Sequence, residues 1–210
     1  MDFDFISEKI NDAFVSPLPG ESVQYEMAPV GRPKNNIFQE NKIQPKESGV
    51  MIMLYPKNGL THLVLTQRHK YKGAHSGQIS LPGGKKEKTD KDLWDTALRE
   101  TVEEIGIVEK QLKGIGKISD VYIPVSNFLV SPYVSMHKDY PKFKIQESEV
   151  KSLIELPIID LMNDDVCTKK VIDVMNGIKM QVPCFVVENK IIWGATAMIL
   201  NEFKAILKRI

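Results

Sequence analysis

Glu100, Glu103 and Glu104 stand together in the run Arg99-Glu100-Thr101-Val102-Glu103-Glu104-Ile105-Gly106-Ile107, downstream of the turn Leu81-Pro82-Gly83-Gly84. Crowded carboxylates offer hard oxygen donors to a divalent cation. A double glycine beside them lets the backbone take positive φ, approach a ligand closely and lend a carbonyl to the same ion. Metal-assisted phosphate chemistry with Mg²⁺ or Mn²⁺ suits this donor set. The ordinary alternative is a solvated acidic helix face with Arg99 as counter-charge, where like charges one turn apart repel by roughly a few tenths of a kcal/mol per pair.

The elements that must position these residues follow from the hydrophobic spacing. Trp94, Ala97, Leu98, Thr101, Val102 and Ile105 recur at three and four residues, which predicts an amphipathic helix over Leu93 to Ile105 with Asp92 as its N-cap. At 100° per residue the three glutamates share an arc of roughly 100° facing away from the apolar stripe. Phe3, Ile6, Ile10 and Phe14 mark an earlier helix, ended by Pro17 and Pro19-Gly20. Residues 17 to 48 hold Pro17, Pro19, Pro29, Pro33 and Pro45 and read as an extended arm that wraps the surface, with a lid or a homodimer arm as the alternative. Val50 to Tyr55 and Leu60 to Gln67 form a hairpin around Asn58-Gly59. Further strands are expected at Lys113 to Ser119, Val130 to Met136, Lys170 to Val174 and Gln181 to Val187, with a turn at Asn176-Gly177. A closing helix is expected through Ile199, Leu200, Phe203, Ile206 and Leu207. The resulting expectation is an α+β chain in which a mixed sheet lies between helices. Residues 1–47 form the helix and arm, and residues 48–210 the main domain.

Gly84 through Ile107 resembles the Nudix box, whose usual form is a glycine, five residues, an acid, seven residues, then Arg-Glu-apolar-x-Glu-Glu-x-Gly-apolar. The second half matches residue for residue, apart from the semi-apolar Thr101. In the first half Asp90 stands for the glutamate, and eight residues instead of seven separate it from Arg99. That extra residue, with the stretch Val64-Leu65-Thr66-Gln67-Arg68-His69 and Gly77-Gln78-Ile79-Ser80-Leu81-Pro82-Gly83-Gly84, is similar to the coenzyme A pyrophosphatase branch. His69 replaces a small residue of that pattern, Gly73 an arginine and Leu81 a phenylalanine. Tyr122 to Pro132 and Trp193-Gly194-Ala195-Thr196-Ala197 resemble later segments of the same branch, so the likeness covers about residues 48 to 208.

The resemblance implies a Nudix α-β-α sandwich with a catalytic loop-helix-loop at the box. It implies that Glu100, Glu103 and Glu104, with the Gly83 carbonyl, hold Mg²⁺ or Mn²⁺ across two phosphates, that Arg99 orients a glutamate, and that Glu147 or Glu149 supplies a further acid. Arg68, Lys72, His75, Gln78 and Gly84 are then the substrate-binding candidates, Lys72 standing as a point charge beside the missing arginine. The implied reaction splits coenzyme A or a derivative into 3',5'-ADP and 4'-phosphopantetheine. Nudix action on ADP-ribose or another nucleotide is a second reading, and a noncatalytic nucleotide-binding module a third.

Composition frames these readings. The chain has 210 residues, 42% hydrophobic and 26% charged, with net charge +1 and no basic tract, which argues against nonspecific nucleic-acid binding. Its two cysteines, Cys167 and Cys184, lack metal-type spacing and are expected to be reduced core thiols. With no apolar run near membrane-spanning length and an acidic start, a cytoplasmic protein acting on a small nucleotide away from membranes is expected.

Overall fold

The computed structural model describes residues 1–71, 75–173 and 179–210. Helix α1 (Phe3–Ala13) opens on Asp2, whose side chain accepts from the Phe5 N–H, and buries Phe3, Ile6, Ile10 and Ala13 along one face. Phe14 caps this helix instead of continuing it. The segment expected as an extended arm contains α2 (Glu21–Gln24), a 3₁₀ turn at Tyr25–Met27 and α3 (Ile37–Glu40). Tertiary hydrogen bonds shape it: the fully buried Gln24 donates to Glu202 Oε2 at 2.7 Å and to the Ser119 carbonyl at 3.0 Å, while the Gly20 N–H donates to Glu202 Oε1 at 3.0 Å. No local pattern announces partners so distant in sequence.

Strands β1 (Lys46–Lys57) and β2 (Leu60–Arg68) form the expected hairpin, longer at both ends, with Asn58 and Gly59 at positive φ. They are followed by β3 (Ile79–Ser80), β4 (Gly83–Lys85), α4 (Leu93–Ile105), β5 (Leu112–Lys117), β6 (Val121–Ile123), β7 (Phe128–His137) and β8 (Val150–Pro157). The chain closes with α5 (Ile158–Met162), β9 (Cys167–Asp173), β10 (Lys179–Val187), β11 (Lys190–Trp193) and α6 (Gly194–Leu207). β1 is central: it pairs antiparallel with β2 and parallel with β7, and β4 pairs with its first half. The main sheet is therefore mixed, as expected, and β9, β10 and β11 form a separate small antiparallel sheet.

Both faces of β1 are buried, as a central strand between helical layers requires. Ile52 and Leu54 join Phe3, Ile6 and Ile10 of α1 and Phe203 and Ile206 of α6 in the larger core, while Met51, Met53 and Tyr55 meet Ala97, Leu98 and Ile105 of α4 on the opposite face. Several boundaries differ from the sequence reading. The strand expected to reach Ser119 stops at Lys117, β6 forms separately, and β9 starts at Cys167. Val174 and the Asn176-Gly177 turn lie outside the described residues. Cys184 is buried, but Cys167 lies exposed on β9 instead of in the core, because β9 is left uncovered on both faces, with every residue from Cys167 to Val171 exposed. Among the described residues no helix is long and apolar enough to cross a membrane.

Candidate active site

Helix α4 matches its expected bounds, and the Asp92 carboxylate accepts from the Asp95 N–H at 2.8 Å to cap it. Its glutamates do not share one solvated face. Glu104 is only 3% exposed, because β4 covers that flank of the helix, whereas Glu103 faces solvent with 53% of its side chain exposed. The Gly83 N–H donates to Glu104 Oε2 at 3.2 Å. Glu100 packs so closely on the glycine turn that a Cβ on Gly84 would lie 2.3 Å from its Cδ. Gly83 takes φ +145°, and a Cβ there would lie 2.4 Å from the Gly49 carbonyl oxygen.

These contacts set the electrostatics. Burial pushes the Glu104 carboxyl up to about 7, the Gly83 N–H and Arg68 oppose that rise, and the charges of Glu100 and Glu149 add to it. Burial also raises Glu100, with Glu103 and Glu149 adding to the rise and Arg99 opposing it. Arg99 donates through Nη1 to Glu100 Oε1 at 2.9 Å and to Glu103 Oε2 at 3.4 Å, and through Nη2 to the Lys85 carbonyl at 3.1 Å. Asp90 fixes Arg99 in turn by accepting from its Nε at 2.9 Å and its Nη2 at 3.0 Å. Thr96 Oγ1 and the Glu87 N–H also donate to Asp90, and the Arg99 guanidinium holds its carboxyl well below the usual carboxylate range. Thr96 escaped the sequence reading; its spacing between Asp90 and Arg99 was the available signal.

The remaining candidates divide. Arg68, at the end of β2, lies near enough for its charge to act on Glu104. Glu149 stands just before β8 with its charge acting on both Glu100 and Glu104, while the Glu147 side chain is exposed and its backbone carbonyl accepts from His69 Nε2 at 2.9 Å. Both His75 ring nitrogens are engaged by protein groups, Nδ1 with Gln78 Oε1 at 3.0 Å and Nε2 with Ser126 Oγ at 3.1 Å. The Gln78 carbonyl accepts from the Arg68 N–H at 3.0 Å, which ties the two ends of that loop. Lys72 and Gly73 lie outside the described residues. Leu81 is 3% exposed within the larger core, so this departure from the branch pattern falls on a core packing position.

Among the described residues no three His, Cys, Asp or Glu side chains are gathered closely enough to form a ready-made cation cage. The donor chemistry still fits a hard cation. Glu100 and Glu104 are all-oxygen donors beside the glycine turn, both raised first by burial and then by neighbouring carboxylates, Glu103 and Glu149 acting on Glu100, and Glu100 and Glu149 on Glu104, a condition that a divalent cation relieves.

A family model described as NUDIX domain matches residues 45–158 of this chain. The chain belongs to the Nudix family. An uncharacterized Nudix hydrolase, NudL, of Yersinia enterocolitica is 32% identical over 141 residues, covering 67% of this chain and 71% of that one. NudL of Yersinia pestis strain Pestoides F is likewise 32% identical, with 69% of its length covered. Two solved structures share the fold. A C. elegans Ap4A hydrolase binary complex aligns with TM-score 0.52 at 15% identity over 79% of this chain and 99% of that one, and the Nudix hydrolase RenU of M. smegmatis with TM-score 0.54 at 12% identity over 79% and 88%. As a Nudix hydrolase the chain acts on pyrophosphate bonds of small nucleoside diphosphate derivatives, and enzymes of this family generally use divalent metal ions.

Proposed function

We propose that this Nudix hydrolase is a Mg²⁺- or Mn²⁺-dependent diphosphatase that cleaves coenzyme A or a derivative into 3',5'-ADP and 4'-phosphopantetheine. The observation that carries the reading is the juxtaposition of the buried Glu104 and the half-buried Glu100, both raised by burial and nearby negative charge, with Arg68, the arginine that the coenzyme A pyrophosphatase pattern places upstream of its glycine turn. In this reading Glu100 and Glu104, joined by Glu103 and the Gly83 carbonyl, hold the cation. When bound, it supplies charge neutralisation at the phosphoryl oxygens and acidifies water.

The chain's own groups do the rest. Arg68 holds a phosphate and steadies the charge that develops on it. Arg99, clamped by Asp90, fixes the Glu100 carboxylate in place. Glu149 accepts a proton from the attacking water as the new P–O bond forms and the anhydride bond breaks, the leaving phosphoryl oxygen carrying away the electron pair. The buried flank of Glu104 against β4 excludes water from one side of the site.

A hydrolysis panel tests the substrate. Coenzyme A, acetyl coenzyme A, ADP-ribose, NADH, diadenosine polyphosphates and dNTPs are each incubated with Mg²⁺, with Mn²⁺ and with chelator, and the products are identified by mass. The reading expects metal-dependent release of 3',5'-ADP with kcat/KM highest for the coenzyme A compounds. Cleavage of ADP-ribose or another nucleotide with coenzyme A left intact contradicts the substrate, and absence of any turnover contradicts the enzyme.

A further inference from the structure

The loop that carries Glu149 starts firmly. Lys144 and Gln146 donate their N–H groups to the Ile105 and Glu104 carbonyls at 2.9 and 3.0 Å, fastening it to the end of α4. The loop then turns on itself, with the Glu149 and Val150 N–H groups donating to the Gln146 carbonyl at 3.0 and 2.9 Å. Its exposed middle is reached from outside by the His69 imidazole, whose Nε2 meets the Glu147 carbonyl at 2.9 Å. A carbonyl can only accept, so this contact requires the proton on Nε2. His69 directly follows Arg68, which pairs with Val150 across a bulge between Gln67 and Arg68. Bulges re-aim the side chains beside them. A small residue, as in the coenzyme A pyrophosphatase pattern, could not span this distance.

We infer that His69 is a positioning residue: by donating to the Glu147 carbonyl it holds Glu149 beside Glu100 and Glu104 and couples the placement of that acid to Arg68. The inference rests on the reading of Glu149 as proton acceptor. His69 touches no reacting atom; it acts by restricting where the Glu149 carboxylate can be.

The test is a double-mutant cycle on the metal-loaded enzyme, using His69→Ala, Glu149→Gln and the double variant, with His69→Gln as a donor-retaining control. Amide hydrogen exchange at Glu149 and Val150 is followed in the same proteins without substrate. Because small misplacements of a catalytic group are expensive, His69→Ala is expected to lower kcat roughly tenfold to a hundredfold with KM changed less than about twofold. The double variant should be no slower than Glu149→Gln alone, and His69→Gln should recover most of the loss. Exchange at the two amides should quicken in His69→Ala and not in His69→Gln. Losses that multiply in the double variant, with Glu149→Gln itself impaired, overturn the positioning role and leave the proposed reaction standing. A fully active Glu149→Gln overturns the role of Glu149 and the inference with it. If no diphosphate is turned over, unchanged exchange in His69→Ala overturns the inference independently.

Discussion

Burial gives Glu104 a carboxyl that titrates at about 7, against 4.5 for a free glutamate. Between those values the native state keeps a proton that the unfolded chain has lost, so this group's contribution to stability is complete below pH 4.5 and declines as pH rises through about 7. In metal-free buffer, thermal melts of the wild type should therefore fall relative to Glu104→Gln as pH rises through that window, and Mg²⁺ should restore the wild type alone. Parallel melting curves for the two proteins, with or without Mg²⁺, contradict this. Asp90 works through Arg99: Asp90→Ala leaves a guanidinium without its two-point partner, and urea unfolding should show a loss of about 2–3 kcal/mol together with a lower kcat. Unchanged kcat would mean that Arg99 does not need this clamp to steer Glu100. At this scale the contact of Arg99 with Glu100 was legible, because their residue types repeat a known pattern. The burial of Glu104 was not legible, because it depends on a strand segment, Gly83–Lys85, whose three residues carry no strand signal. The tie from His69 to Glu147 spans loops far apart in sequence and was equally hidden.

The glycine turn and α4 act as one unit. Glu100 occupies the space that a side chain at residue 84 would need, so Gly84→Ala must displace its carboxylate. The expected result is a loss of kcat by about a hundredfold or more with far-UV circular dichroism unchanged. Near-normal turnover would show that the close packing of Glu100 on the turn is dispensable. Helix α4 was readable to the residue because its three- and four-residue apolar spacing and its Asp92 cap agree. No strand was expected at β8, although Val150, Ile154 and Leu156 lie on one face at even spacing and are all buried. The intervening Ser152 and the acidic lead-in from Glu147 masked that period. β8 matters because it pairs with β2 and so brings Glu149 alongside Arg68.

At the scale of the molecule, β1 carries apolar residues on both faces, and the two cores it separates make the site a junction: α4 lies on one side, α1 and α6 on the other. The mixed sheet between helices was legible from the alternation of strand and helix patterns, whereas the short helices of the N-terminal segment were not, since Gln24 and Glu202 meet only in the folded chain. Glu202 accepts from Gly20, Gln24 and Ser119, so Glu202→Ala should strand several donors and lower stability by about 3 kcal/mol in urea titration. A variant as stable as the wild type would show that the segment is held by its apolar contacts alone. The proposed cleavage of coenzyme A requires Glu100 and Glu104 beside the glycine turn to hold a divalent cation. Its most direct test is the rate of 3',5'-ADP release from coenzyme A in Mg²⁺ by the wild type and by Glu104→Gln, read by mass. The wild type should release product in a reaction that chelator abolishes, and kcat of the variant should fall by roughly a hundredfold or more. Equal rates in the two proteins, or release that persists in chelator, would contradict it.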